Sequence, residues 1–314
     1  MLTTRPRTSP TVAARGFVAE AGPTSVGTAL VTPFRQDGSL DEAAITALAK
    51  RQADAGVHFV SPCGTTGEAP TLSADEKVRV VELVVAAVAG RIPVLAGAGG
   101  YDTREVAHLV SRMEKAGAQG ILSVTPYYNK PTPEGMVEHY KAVGGATALP
   151  VVLYNVPGRT GINVDVATLV KIATAVPNVV AVKEASGNMP QMVEICANVP
   201  DGFIVLSGDD ALTLPLLSVG GHGIISVASN EAPAEMVRMV EAAESGDWAA
   251  ARVLHRRLLP LMNINFVEAN PGPAKAAMAA MGLLGEHYRL PMVPPRPASR
   301  ERILQVLRDL TLVA

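Results

Sequence analysis

Short apolar runs alternate with amphipathic stretches along the chain from about residue 26 onward. The apolar runs are rich in Val, Ile and Leu and predict eight buried strands, at 26–33, 57–62, 93–97, 120–124, 151–155, 179–183, 203–207 and 223–227. Between the runs, apolar residues recur at helical spacing, which predicts helices at 41–54, 74–89, 103–115, 134–147, 165–175, 188–198, 209–218 and 233–244. Residues that favour helix N-caps precede several of these helices: Ser39, Asp41, Ser73 and Asp165.

Mostly apolar strands that alternate with helices indicate an α/β protein whose parallel sheet is covered on both faces. Eight such units predict a (β/α)8 TIM barrel with a C-terminal helical extension. A doubly wound sheet is the alternative, but its glycine fingerprint is missing from VTPFRQDGS (31–39) and incomplete in AGAGGYD (96–102). We expect the barrel to span residues 25–245, and the helices of 246–314 to pack on it as an appendage without forming a second domain.

Residues 1–24 differ in composition from the rest of the chain, with several arginines, several Ser and Thr, and the single acid Glu20. They contain no apolar core long enough for a secretory signal. We expect a disordered N-terminal extension, and an organelle-targeting presequence is the alternative.

Composition narrows the class of protein. The 314 residues are 48% hydrophobic and 18% charged, with a net charge of −2, which is typical of a well-buried globular protein. The lack of a basic stripe and the 4% aromatic content argue against a nucleic-acid partner, and no apolar stretch is long enough for a bilayer. Two cysteines far apart in sequence, Cys63 and Cys196, argue against a disulfide framework and fit a cytoplasmic location.

The strand ends carry the candidate chemistry, because barrel enzymes work at the C-terminal ends of their strands. These ends read GTTGE (64–68), TPYYNKP (125–131), YNVPGRTG (154–161), KEASG (183–187), SGDD (207–210) and SVASN (226–230). No cluster of His, Cys and acidic residues has metal-ligand spacing there, so we expect neither a metal nor a cofactor. Cys63 has no base beside it in the motif, and we interpret it as a small buried residue.

Lys183 closes the apolar run VVAVK, where an ammonium must either reach water or lose its hydration. An apolar barrel mouth lowers a lysine pKa from about 10.4 to near 7 at a cost of about 4 kcal/mol, which burial can supply. The neutral amine adds to a ketone, and the resulting iminium withdraws electrons from the adjacent carbon. Tyr154 and a threonine relay suit proton transfer, the 64–68 turn offers N–H groups to a carboxylate, and an arginine binds a second carboxylate.

Together with GHGIISV (221–227) and FVEANPGPAK (266–275), these motifs resemble the dihydrodipicolinate synthase family. That family belongs to the pyruvate-dependent class I aldolases and lyases, which include N-acetylneuraminate lyase, and the resemblance covers roughly residues 25–310. It implies a lyase that condenses pyruvate with L-aspartate 4-semialdehyde on the route to diaminopimelate and lysine. A lyase or aldolase for a sugar acid or 4-hydroxy-2-oxoglutarate is the alternative within the family. A non-catalytic ligand-binding barrel is the alternative outside it.

The resemblance implies a role for each matching residue. The implied catalytic residues are Lys183 as the Schiff-base lysine, Tyr154 as the general acid and base, and Thr65 and Tyr128 as a proton relay. In the family the tyrosine at the position of Tyr128 comes from the neighbouring subunit of a tight dimer, within a homotetramer that is a dimer of dimers. Turn formation by Thr65 and interface packing by Tyr127 and Tyr128 remain the alternatives.

The resemblance also implies substrate-binding residues. Thr66 would hold the pyruvate carboxylate, with the backbone of Ile225 lining the same pocket. Arg159 would bind the carboxylate of the semialdehyde, with Gly208 close by; a sugar acid has no carboxylate at that end. A surface ion pair remains the alternative for Arg159, and a purely structural turn remains the alternative for Thr66.

One departure from the family pattern concerns regulation. Members inhibited by L-lysine carry a histidine and an asparagine in an effector pocket at the dimer interface. We expect Lys77 and Tyr101 at those positions here, beside Glu105 and Tyr127, which match. A lysine in the pocket would repel the ammonium of the effector, so we expect weak or absent inhibition by L-lysine.

Overall fold

The structure is a computed structural model and describes residues 25–314. All eight predicted strands are present: β1 Ser25–Ala29, β2 Phe59–Ser61, β3 Leu95–Gly97, β4 Gly120–Val124, β5 Val151–Asn155, β6 Val179–Glu184, β7 Ile204–Ser207 and β8 Gly223–Ser226. β1 ends before the predicted residue 33, because the backbone N–H of Val31 donates to the Asn230 side chain (3.2 Å) and no longer to a strand. The extension predicted over residues 1–24 lies outside the described residues.

The strands are parallel and follow the order β2-β1-β8-β7-β6-β5-β4-β3. A parallel bridge between Val60 and Val94, with a hydrogen bond of 3.1 Å from Val60 N to Pro93 O, joins β2 to β3. This contact closes the sheet, which confirms the predicted TIM barrel and excludes the doubly wound alternative.

The helices between the strands are α1 Glu42–Asp54, α2 Ala74–Val88, α3 Thr103–Lys115, α4 Pro133–Gly145, α5 Pro157–Thr160, α6 Val166–Ala175, α7 Met189–Asn198, α8 Thr213–Ser218 and α9 Pro233–Glu244. The side chains of Asp41, Ser73 and Asp165 accept N–H groups of the first turn, as the sequence predicts. Ser39 is not a cap: its hydroxyl donates to Asp37 within a tight turn. The short α5 was not predicted, because its four residues are too few to show helical periodicity.

Three further helices complete the chain: α10 Trp248–Ile264, α11 Gly272–Ala280 and α12 Pro297–Asp309. α10 packs against α9 and α12, and α11 packs against α12. The division into a barrel over 25–245 and an extension over 246–314 stays a prediction. Within residues 25–314, no helix is both long enough and apolar enough to cross a membrane.

Two apolar clusters stabilise the barrel. The larger one lies between the strands and the surrounding helices, and the smaller one fills the barrel interior. The interior cluster is formed by side chains such as Phe59, Leu95, Leu122, Leu206 and Ile225. Tyr154 belongs to the same cluster, so the packed interior leads directly to the strand ends where the candidate residues lie.

Candidate active site

Lys183 and Tyr154 occupy paired positions on β6 and β5, near the C-terminal ends of both strands. Lys183 is only 4% exposed, and its Nζ lies 4.4 Å from the centre of the Tyr154 ring. Strand alternation directs Lys183 to the same side of β6 as Ala181, a residue of the barrel interior. The amine is therefore desolvated against an aromatic ring, and the solvated alternative for Lys183 is excluded.

Gly208 follows β7 and packs against the Lys183 side chain. A Cβ at Gly208 would lie 3.1 Å from Cε of Lys183 and 2.5 Å from Cβ of Ala185. A larger residue would therefore collide with Ala185 and crowd the end of the lysine side chain. The sequence suggested that Gly208 lies near the second substrate, and the structure adds this contact with the candidate nucleophile.

A cavity of about 250 Å³ opens above this pair. Its polar lining includes Thr65, Tyr154 and Arg159, and its apolar wall is formed by residues such as Leu122, Val124 and Val156. Three of the residues proposed from the sequence therefore line one cavity. Lys183 lies directly against a lining side chain, the Tyr154 ring.

Thr66 is buried beside this cavity and is bonded to a residue that the sequence did not single out. Nδ2 of Asn270 donates to Oγ1 of Thr66 at 3.0 Å, and both side chains are buried. The backbone oxygen of Asn270 accepts a long hydrogen bond of 3.5 Å from Nη2 of Arg159. Asn270 lies in the quoted NPGPAK segment, but no local signal shows that it contacts a turn 204 residues away.

Buried polar side chains behind the strand ends fix the positions of Tyr154 and Lys183. The next residues, Asn155 and Glu184, are also paired in register, and Nδ2 of Asn155 donates to Oε2 of Glu184 at 2.9 Å. Oε1 of Glu184 accepts the backbone N–H of Ser186 at 2.7 Å. These bonds hold together the loops that follow β5 and β6. The sequence alone does not reveal this pair, because strand alternation turns it away from the interior that Tyr154 and Lys183 face, and its contact depends on the register of β5 and β6.

Ile225 is fully buried on β8 and lies opposite Gly27 of β1. Its side chain belongs to the interior cluster that contains Tyr154. The predicted contact between the Ile225 backbone and pyruvate stays a prediction.

Tyr128 points away from the described cavity. It is 90% exposed and has a φ of +69°, in the left-handed region that non-glycine residues seldom occupy. Its neighbour Tyr127 lines the cavity and makes an edge-to-face contact with Tyr101, with ring centres 5.4 Å apart. Within this chain, Tyr128 is therefore not brought together with Tyr154 and Thr65.

Lys77 and Cys63 also line this cavity. Burial lowers the pKa of the half-buried Lys77 amine, and burial raises the pKa of the Cys63 thiol to about 12. The thiol is therefore protonated at neutral pH and only 2% exposed, which agrees with the interpretation of Cys63 as a small buried residue. Lys77 and Tyr127 both line this cavity, and the effector pocket expected at a dimer interface stays a prediction.

The part of the chain that the structure describes, residues 25–314, offers no metal site of the usual kind. No group of three or more His, Cys, Asp or Glu residues in that range is placed to hold a metal ion.

Comparison with protein families gives a match over almost the whole described chain. The model of the dihydrodipicolinate synthetase family matches residues 23–310. A relative from Koribacter versatilis, named 4-hydroxy-tetrahydrodipicolinate synthase, is 53% identical over 284 residues, covering 90% of this chain and 94% of the relative.

Solved structures agree with the sequence relatives. The crystal structure of dihydrodipicolinate synthase from Thermotoga maritima superposes with a TM-score of 0.91 at 44% identity, covering 92% of this chain and 99% of that one. A structure described as the first monomeric dihydrodipicolinate synthase variant superposes with a TM-score of 0.91 at 43% identity, covering 92% and 97%.

Proposed function

The chain belongs to the dihydrodipicolinate synthetase family, and we infer that it is a lyase that catalyses the 4-hydroxy-tetrahydrodipicolinate synthase reaction. Its substrates are pyruvate and L-aspartate 4-semialdehyde, and its product enters diaminopimelate and lysine biosynthesis. The observation that best supports the mechanism is the buried amine of Lys183 against the ring of Tyr154.

Lys183 is the proposed nucleophile. The unprotonated form of its Nζ is the one that adds to the C2 carbonyl of pyruvate, and protonation of the resulting hydroxyl allows water to leave and an iminium to form. Tyr154 is the proposed acid and base for these transfers, since its ring lies against the amine and its side chain lines the cavity. Thr65 lines the same cavity and is the proposed next member of the relay.

Carbon–carbon bond formation follows from the iminium. Loss of a proton from C3 of the bound pyruvate gives an enamine, which attacks the aldehyde carbon of L-aspartate 4-semialdehyde, and the new alkoxide takes up a proton. The α-amine of the semialdehyde portion then attacks C2 and displaces Nζ of Lys183. This exchange closes the ring and releases the free lysine, so no external oxidant or reductant is consumed.

Substrate carboxylates are assigned to separate groups. We propose that Thr66 and the backbone of Ile225 hold the pyruvate carboxylate, and that Arg159 at the cavity wall binds the carboxylate of the semialdehyde. Gly208 supplies room for the Lys183 side chain beside the second substrate. A guanidinium suits the second carboxylate because it can donate two parallel hydrogen bonds.

Tyr128 is proposed to act in the site of a neighbouring subunit. Its almost complete exposure supports this role, because a catalytic hydroxyl that points away from its own cavity needs another chain to approach it. We propose a homotetramer, a dimer of dimers, in the cytoplasm. One solved relative is described as a monomeric variant, so analytical ultracentrifugation of this protein is the measurement that tests the assembly.

Direct assay tests the assigned reaction. Purified protein is supplied with pyruvate and L-aspartate 4-semialdehyde, and the product is consumed by the reductase that acts next. Turnover that needs both substrates supports the assignment. Turnover of a sugar acid or of 4-hydroxy-2-oxoglutarate, with none of the semialdehyde, would support the related lyase activity instead.

A further inference from the structure

Residues 270–275, at the start of α11, contact the 64–68 turn at two points. Asn270 contacts Thr66, and Lys275 contacts Glu68, so the two ends of a six-residue segment reach two residues of one turn. The start of the C-terminal extension therefore contacts a turn of the candidate site.

The direction of the Asn270–Thr66 hydrogen bond has a chemical consequence. A hydroxyl has one hydrogen to donate and two lone pairs that accept. Because Nδ2 of Asn270 donates to Oγ1 of Thr66, the bond occupies a lone pair and leaves the hydroxyl hydrogen free. A carboxylate can only accept hydrogen bonds, so a threonine held in this way is set to donate to one.

We propose that Asn270 is a positioning residue that sets the Thr66 hydroxyl as a donor to the pyruvate carboxylate, while Lys275 holds the backbone of the same turn through Glu68. The inference rests on the proposed function in one respect, the role of Thr66 in binding that carboxylate. Neither Asn270 nor Lys275 is assigned a part in bond making or breaking.

The Lys275–Glu68 ion pair is the second anchor. Nζ of Lys275 lies 2.6 Å from Oε1 of Glu68 and 3.1 Å from the backbone oxygen of Thr32, and both charged side chains are at most 1% exposed. Glu68 has a φ of +52°, and its N–H donates to the Thr65 oxygen at 3.0 Å. Separating the two side chains of a buried ion pair leaves each charge uncompensated, which is costly. The pair therefore restrains Glu68 in its left-handed backbone conformation.

Asn270 also allows the two substrates to be separated experimentally. Its contact with Arg159 uses the backbone oxygen, which every side-chain variant retains. Its contact with Thr66 uses the side chain. Truncation of the side chain should therefore affect the use of pyruvate and spare the use of the semialdehyde, whereas a general loss of structure would affect both.

A double-mutant cycle tests the first anchor, which is the hydrogen bond from Asn270 to Thr66. Asn270→Ala should lower kcat/KM for pyruvate about tenfold and leave KM for the semialdehyde within about twofold. The double variant Asn270→Ala with Thr66→Val should be no worse than Thr66→Val alone, because the asparagine acts through the hydroxyl that valine lacks. Asn270→Asp keeps the shape but can only accept from Thr66, so it should impair pyruvate use at least as much as Asn270→Ala.

Four results would each overturn the proposed role of Asn270. If the effects of Asn270→Ala and Thr66→Val on kcat/KM for pyruvate multiply in the double variant, Asn270 does not act through Thr66. The same conclusion follows if Asn270→Ala lowers kcat/KM equally for both substrates. If Thr66→Val leaves pyruvate use unchanged, the assigned role of Thr66 fails, and the inference fails with it. If Asn270→Ala uses pyruvate at the wild-type rate while Thr66→Val does not, the inference about Asn270 fails and the proposed function stands.

Removal of both charges tests the second anchor. Lys275→Met and Glu68→Gln should each lower the melting temperature, and the double variant should recover most of that loss, since no unpaired charge remains. The same double variant should still show about fivefold lower kcat/KM for pyruvate, because the ion pair no longer restrains the 64–68 turn. A double variant that folds and uses pyruvate at the wild-type rate would show that the pair is structural only.

Discussion

Tyr154 and Lys183 face each other across neighbouring strands, with Nζ of the lysine 4.4 Å from the centre of the tyrosine ring. The ring shields the amine from water, and Asn155 and Glu184 tie the two strand ends together immediately behind the pair. Gly208 allows the lysine to lie this close to the next strand end. The site is thus fixed by rigid strands before any substrate arrives, which reduces the reorganisation needed during reaction.

Arg159 should be required for the semialdehyde far more than for pyruvate. Arg159→Ala removes a carboxylate contact, for which we expect a loss of roughly 2 kcal/mol, about thirtyfold in kcat/KM for the semialdehyde. Arg159→Lys keeps the charge but not the paired donors, so its kcat/KM for the semialdehyde should lie between those of the wild type and of Arg159→Ala. Imine formation with pyruvate, followed by borohydride trapping, should continue in both variants. Normal condensation by Arg159→Ala would instead favour a sugar-acid substrate.

Tyr128 should be needed in the site of another subunit. Tyr128→Phe deletes one hydroxyl and no ring, so we expect turnover to fall by about two orders of magnitude with the melting temperature unchanged. Mixing this variant with inactive Lys183→Ala should restore activity, because a mixed dimer then contains one site with both groups. If subunits are shown to exchange and no activity returns, Tyr128 belongs to the site of its own chain.

Lys77 should weaken inhibition by L-lysine. Two ammonium groups about 4 Å apart repel by about 1 kcal/mol in water and about 4 kcal/mol near a protein surface. We therefore expect less than half inhibition at about 10 mM L-lysine, and stronger inhibition in Lys77→His, which is largely neutral at about pH 8. Saturable inhibition of the unmodified protein in the submillimolar range would show that Lys77 does not meet the effector.

The ion pair of Glu76 with Arg289 should make the free energy of unfolding depend on pH in the acidic range. Paired hydrogen bonds of 2.6 and 2.9 Å from Arg289 lower the pKa of Glu76 to about 2, against a burial effect that raises it. Because the folded pKa is depressed, the contribution is complete above about pH 4.5 and is lost as the pH falls towards 2. Glu76→Gln should thus lower the urea midpoint at about pH 7 and have a smaller effect at about pH 3.

A matched control is the more exposed pair of Glu42 with Arg79, whose hydrogen bonds are both 2.8 Å. Glu42→Gln should change the urea midpoint less than Glu76→Gln at about pH 7, because solvent screens exposed charges. Equal effects of the two substitutions, or a difference that does not shrink in acid, would contradict the assignment.

The sequence predicts the barrel well because its strands are buried on both faces and read as apolar runs separated by capped helices. The bounds of β4 and β5 agree with the prediction to the residue. β1 differs most from its predicted bounds, since its apolar run continues to residue 33 but the backbone N–H of Val31 already donates to the Asn230 side chain. That contact depends on a residue far along the chain, which no local pattern reveals.

The candidate site shows the same limit. Lys183 could be identified because a lysine at the end of an apolar run is unusual, and the structure places it in a buried position. Asn270 and Lys275 could not be assigned to the site, because their partners Thr66 and Glu68 are more than 200 residues away. No local pattern distinguishes the exposed Tyr128 from its neighbour Tyr127, and only the family resemblance implied that Tyr128 leaves the site of its own chain.

The most direct test is to identify which lysine reacts with pyruvate. The protein is incubated with pyruvate, reduced with borohydride, digested and examined by mass spectrometry. A pyruvate-derived mass is expected on the peptide that contains Lys183, and none on Lys275, which is also buried but held by Glu68. Lys183→Arg should abolish both the added mass and the activity. An unmodified Lys183 in fully active protein, or an adduct on another lysine, would contradict the mechanism.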